Sequence, residues 1–213
     1  MLPYSHSSPS DPYHHLMKKV FPIVLLTMAF AKTYRANSYR PGHFENDAEH
    51  SYQLAMACWA ANEQYQLGLK DELILKFALT HDLVEVFAGD TDAHGSTENL
   101  VAKQEKEAAA YQKLREQYGE FKGMQAAISE YEPKSSLEAM FVNLMDKLIP
   151  TLAVPHATLD YYRTRKITVA IWRQWLLTKV KYETLPDFLQ KFVVQALDDI
   201  EAECGHCFYK DEE

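Results

Sequence analysis

The stretch DELILKFALTHDLVEVFAGD, residues 71–90, decides how this chain is read. Leu73, Phe77, Thr80 and Val84 recur at helical spacing, and Asp71 stands where it can cap the first turn. Gly89 ends the run, because glycine takes the left-handed conformation that closes a helix. Within this apolar pattern lie His81 and Asp82, about 100° apart around a helix, so both can reach one point at its edge. Glu85 follows on the same face, one turn beyond His81. An imidazole and two carboxylates amid Leu79, Leu83 and Val86 are costly to bury unless something binds them.

The same periodicity extends in both directions. A first helix is expected over Leu16 to Tyr34, then a loop from Ala36 to Glu45 around Pro41-Gly42. Asn46 and Glu49 have the spacing of a capping box that opens a helix from Asp47 to about Leu67, with Tyr52, Ala55, Met56 and Trp59 on one face. A charged helix follows over about Asn99 to Tyr118, and a short one over Met124 to Tyr131. Ser135 with Glu138 reads as a second capping box, opening a helix from Ser136 to Ile149. Pro150 and Pro155 bracket a break before two helices at 157–182 and 185–203. No strand pair emerges, and only seven glycines occur, so the expected fold is an all-α helical bundle. The expected boundaries are a loose tail at 1–15, a single helical domain at 16–205 and a tail at 206–213.

Composition narrows the function. Of 213 residues 47% are hydrophobic, enough for one well-filled core. The formal charge of −8 comes with no concentrated basic run, which argues against a nucleic-acid polymer as partner but admits a small phosphorylated molecule. Three cysteines, an odd number, point to a reducing compartment and a cytoplasmic protein. Cys204-Gly-His-Cys207 has half the spacing of a zinc site but no second pair, and reads as a surface tail. Val20 to Ala31 is apolar and follows Lys18-Lys19, like a secretory leader. It is too short to cross a membrane and contains Pro22, so a buried first helix is the better reading, with no membrane partner.

Two further residues join His81 and Asp82. His50 shares a helix with Leu54 and Ala57, and Asp146 interrupts the stripe of Ala139, Val142, Met145 and Ile149. Two imidazoles and two carboxylates form a mixed nitrogen and oxygen set suited to one divalent ion, whether Mn, Fe, Co, Ni, Zn or Mg. Such an ion lowers the pKa of a water and offsets charge on a phosphoryl group.

The order His50 … His81-Asp82 … Asp146 resembles the signature of the HD-domain metal-dependent phosphohydrolases. Glu45-Asn46-Asp47-Ala48-Glu49-His50-Ser51 and His81-Asp82-x-x-Glu85-x-x-x-Gly89-Asp90 look like the 5'-deoxynucleotidase branch of that superfamily. Glu130-Tyr131-Glu132 and the run from Ser135 to Lys147 are similar to it as well, so the likeness covers about 16–150. The resemblance implies that His50, His81, Asp82 and Asp146 bind the metal and that Glu85 orients or deprotonates the attacking water. It also implies that Asp90 assists in the site or lies near the sugar, and that Arg35 meets the substrate phosphate. Family members are often dimers, so a homodimer is expected. Ala36 departs from the tryptophan that some relatives carry there, and the chain beyond Pro150 matches the branch poorly. The expected activity is hydrolysis of a phosphate monoester, foremost a nucleoside 5'-monophosphate. Another phosphorylated small molecule (a nucleoside triphosphate, an alarmone, a sugar phosphate) or a non-catalytic helical metal-binding protein are the alternatives.

Overall fold

The computed structural model describes residues 16–40, 43–89, 100–153 and 160–210, with side chains for 17–35, 43–89, 105–153 and 161–210. In chain order the elements are α1 (Leu16–Phe30), β1 (Tyr34–Arg40), β2 (His43–Asn46), α2 (Asp47–Gln64), α3 (Asp71–Thr80) and α4 (Glu85–Ala88). Then come α5 (Leu100–Tyr118), α6 (Lys122–Tyr131), α7 (Leu137–Ala153), α8 (Asp160–Thr164), α9 (Val169–Lys179) and α10 (Asp187–Cys204). Short 3-10 turns occur at Tyr182–Thr184 and Gly205–Cys207. The fold is all-α apart from one two-stranded antiparallel hairpin.

That hairpin replaces the expected loop after a shorter first helix. Tyr34 pairs with Asn46, Ser38 with Phe44 and Arg40 with His43, with register irregularities between them. α1 also corrects the expectation of a buried helix: Leu26 and Phe30 are buried, but Met17, Val20, Phe21, Val24, Leu25 and Met28 are exposed. The capping box at α2 is present. Asn46 Oδ1 accepts from the Glu49 amide at 3.0 Å, and the Asn46 amide donates to Glu49 Oε2 at 3.1 Å. On α2 the stripe of Tyr52, Met56 and Trp59 faces outward. His50, Ser51, Leu54, Ala55, Cys58 and Ala61 face the core instead.

Three other boundaries move for local reasons. Asp71 is not a cap; its Oδ1 accepts from Asn62 Nδ2 at 2.7 Å, tying the α2–α3 turn together. The cap of α7 is Ser136, whose Oγ accepts from the Ala139 amide at 3.2 Å, which frees Glu138 to accept from the Lys70 amide. α7 runs through Pro150 without ending there.

α2, α3 and α7 pack against one another, with α6 on α3 and α10 on α7. Their shared core runs from Leu54 and Phe77 through Phe141 and Leu144 to Leu189 and Leu197. A second apolar cluster joins α1, α5 and α6 through Leu26, Phe30, Leu83, Leu114 and Ile128. The expected tail beyond 205 departs from the structure at Cys207 and Phe208, which are buried. Phe208 stacks on Tyr162 at 4.5 Å between ring centroids and meets Trp172 at 5.3 Å, so Cys204, Cys207 and Phe208 belong to the core, with free thiols. Burying a ring of that size contributes roughly 1.5–3 kcal/mol.

Candidate metal centre

The expected helix over 71–88 is interrupted where its polar residues fall. α3 stops at Thr80, and His81 continues in right-handed helical conformation (φ −58°, ψ −38°). The next amides bond three residues back: Leu83 to Thr80, Glu85 to Asp82 and Phe87 to Val84. This tightening leaves His81 and Asp82 at the end of α3, aimed at α7. Glu85 begins α4, and Gly89, at φ +72°, closes it.

His50 of α2, His81 and Asp82 after α3, and Asp146 of α7 offer ligand atoms that all lie within 4.8 Å of one another. His50 Nε2 is 2.8 Å from Asp146 Oδ1. His81 Nε2 is 2.8 Å from Asp82 Oδ2 and 3.6 Å from Asp146 Oδ1, yet it is not aligned for a hydrogen bond with either. His81 Nδ1 lies 2.9 Å from the Ala78 carbonyl, which can only accept, so that nitrogen carries the proton and donates. Nε2 therefore faces the two carboxylates. Ligands about 2.1 Å from a common ion stand at most ~4.2 Å apart, so small adjustments close this set around one cation. His81 Nε2, buried against two carboxylates without a directed hydrogen bond, fits a metal ligand better than it fits a polar network.

The electrostatics agree. Burial disfavours the His81 charge, but Asp82 and Asp146 outweigh it and push the pKa up to about 10. Burial likewise opposes charge on Asp146, yet Lys147 and the two imidazoles hold its carboxyl well below the usual range. For Asp82, burial is again overcome by His81 and Arg35, and the shift is downward. The cluster is built to surround positive charge.

Arg35, the expected phosphate contact, is paired with carboxylates at the edge of the cluster. Its Nη1 is 3.0 Å from Asp82 Oδ2 and 3.4 Å from Asp47 Oδ1, and its Nε is 3.6 Å from Glu45 Oε2. Asp47, Asp82 and Glu85 form a second group of converging carboxylates, and Arg35 is the cation paired with two of them. Sequence reasoning gave no roles to Glu45 and Asp47, although both lie in the quoted stretch before His50; their near-complete burial is the signal it lacked.

A cavity of about 450 Å³ opens over the cluster. Its walls include His81, Asp82, Glu85, Tyr131, Lys134, Asp146 and Lys147, while Arg35 and the fully buried His50 are not among them. The expected role of Asp90 falls outside the described residues.

The model of the HD domain matches residues 31–184, well over half of the chain. The chain belongs to the HD domain family. The matched region contains every member of the His50, His81, Asp82 and Asp146 cluster. A search of curated proteins found no match for this HD chain. Among solved structures, one described as a "Predicted metal-dependent phosphohydrolase" from Magnetospirillum magnetotacticum MS-1 is similar, with a TM-score of 0.71 and 22% identity. That match covers 99% of this chain and 100% of the other, and at this identity it speaks for the fold.

Proposed function

We propose that this HD protein hydrolyses the phosphate monoester of a small molecule, a nucleoside 5'-monophosphate being the favoured substrate. The carrying observation is that Glu85, grouped with Asp82, lines the same cavity as the cluster members His81, Asp82 and Asp146. Membership of the HD domain family and the description of the structural neighbour support the same reading. A volume near 450 Å³ is the size of a small-molecule site.

In this reading His50, His81, Asp82 and Asp146 hold one divalent ion. That ion, when bound, supplies an acidified water and offsets charge on the phosphoryl group. Glu85 accepts the proton of the attacking water as its oxygen bonds to phosphorus and the ester P–O bond breaks. The leaving alkoxide takes up a proton, and the products are an alcohol and inorganic phosphate. Arg35 keeps Asp82 and Asp47 in place, and Asp90 assists in the site or lies near the sugar. We further propose a cytoplasmic homodimer that acts on no nucleic-acid polymer. Among the described residues no helix is long and apolar enough to cross a membrane.

The test is a phosphate-release screen across nucleotides and other phosphate monoesters, run after chelation with Mn, Co, Fe, Ni, Zn and Mg in turn. Glu85→Gln should lose about 10²–10⁴-fold in turnover while keeping its metal and melting temperature. Equal turnover in the variant removes Glu85 as the base, and no phosphate release by wild type with any metal sinks the hydrolase reading.

A further inference from the structure

Three lysines, Lys106, Lys134 and Lys147, line the cavity. Lys147 Nζ is held by Asp146 Oδ2 at 2.5 Å, and Lys106 stands exposed on α5. Lys134 differs from both. It is half-buried, and its ammonium lies 3.3 Å from the centroid of the Tyr131 ring. Among the described residues no carboxylate lies within ion-pair distance of it.

The placement follows from how α6 ends. The Lys134 amide donates to the Tyr131 carbonyl at 2.9 Å, and Lys134 takes the left-handed conformation (φ +50°). This closing turn returns the side chain over the last residue of the helix. Tyr131 is itself buried, and its ring meets His81 edge-on at 6.0 Å between centroids. One face of the ring thus carries an ammonium while the ring also abuts an imidazole of the metal cluster. A cation over an aromatic face is steadied by the ring quadrupole and still has N–H groups to offer an oxygen ligand.

Charge balance assigns it a task. A divalent ion among Asp82 and Asp146 is neutralised by those two carboxylates, so an entering phosphate dianion needs further positive charge. Arg35 is paired with Asp82, Asp47 and Glu45 away from the cavity surface, and Lys147 is held by Asp146. Burial lowers the Lys134 pKa to about 8, with Glu132 opposing, so most of its population remains charged at neutral pH. An anion arriving beside it offsets the desolvation.

We infer that Lys134 binds the non-bridging oxygens of the substrate's phosphoryl group, as a substrate-positioning residue on the cavity wall. This rests on the phosphohydrolase reading, but its test does not require turnover. Metal-loaded wild type, Lys134→Gln, Lys134→Arg and Lys106→Gln are titrated with inorganic phosphate by calorimetry at pH 7, with metal content and melting temperature measured alongside. Lys134→Gln should weaken phosphate binding by about 10-fold or more, Lys134→Arg should restore part of it, and Lys106→Gln should stay within about twofold. With an active substrate, KM should rise more than kcat falls. Phosphate binding by Lys134→Gln within about twofold of wild type, at equal metal content, overturns the assignment, as does a metal-loaded wild type that binds no phosphate. A wild type that binds phosphate through Lys134 but cleaves no ester leaves this assignment standing and removes the hydrolase reading; an active enzyme indifferent to Lys134 does the reverse.

Discussion

His81 shows how a single side chain prepares the centre for a cation. Its Nδ1 donates to the Ala78 carbonyl, and its Nε2 faces Asp82 and Asp146. Without metal, the two carboxylates outweigh burial and hold a proton on the ring up to about pH 10. The folded value lies above the ordinary 6.5, so this charge adds stability fully below about pH 6.5 and loses it as pH rises through about 10. A metal ion must displace that proton, whereas Asp82 and Asp146 are already ionised and release none. Metal binding at pH 8 should therefore liberate about one proton per ion, and affinity should climb with pH toward 10. Calorimetry in buffers of differing ionisation enthalpy measures the release; an enthalpy independent of buffer would contradict the account.

At the scale of elements, the β1–β2 hairpin brings Arg35 and Glu45 against Asp47 at the start of α2 and Asp82 after α3. Asp47 and Glu45 are almost wholly buried, so removing the guanidinium leaves crowded like charges. Arg35→Ala should cost roughly 3 kcal/mol in chelator, or ~6–12 °C in melting temperature for a chain of this size, and less with metal bound. An unchanged thermal melt in chelator would show that the pairing carries no weight. The hairpin was illegible in sequence because RANSYR and HFEN lack apolar alternation; backbone pairing and ion pairs hold it, and neither leaves a periodic trace. The break between α3 and α4 was hidden for the opposite reason. Its residues stay in helical conformation, so the apolar spacing of Phe77, Thr80 and Val84 runs across a change in hydrogen bonding. By contrast His50, His81, Asp82 and Asp146 stood out, because each polar group interrupts a stripe that is otherwise apolar.

Over the whole molecule, the C-terminal third closes the main core through Trp172, Leu189 and Phe208. An isolated Cys207-Phe208 after a helix is too short for any periodic signal, which is why its burial could not be read. The outer face of α1 remains apolar, with Met17, Phe21, Val24, Leu25 and Met28 all exposed. A patch of this kind commonly marks an interface, and it is the surface we assign to the proposed homodimer. Phe21→Glu with Leu25→Glu should halve the molar mass measured by light scattering. A monomeric wild type, or a double variant that stays dimeric, rules that surface out.

The four residues of the cluster come from positions 50, 81, 82 and 146, so nearly a hundred residues separate its first member from its last. No early, local piece of the chain can assemble such a constellation. It exists only once α2, α3 and α7 have docked, after the entropy of closing those long loops has been overcome. An ion captured there acts as a latch set after the door has shut: it does little to hasten folding and much to retard unfolding. Metal supply would then govern how long each folded molecule lasts, separately from how quickly it forms.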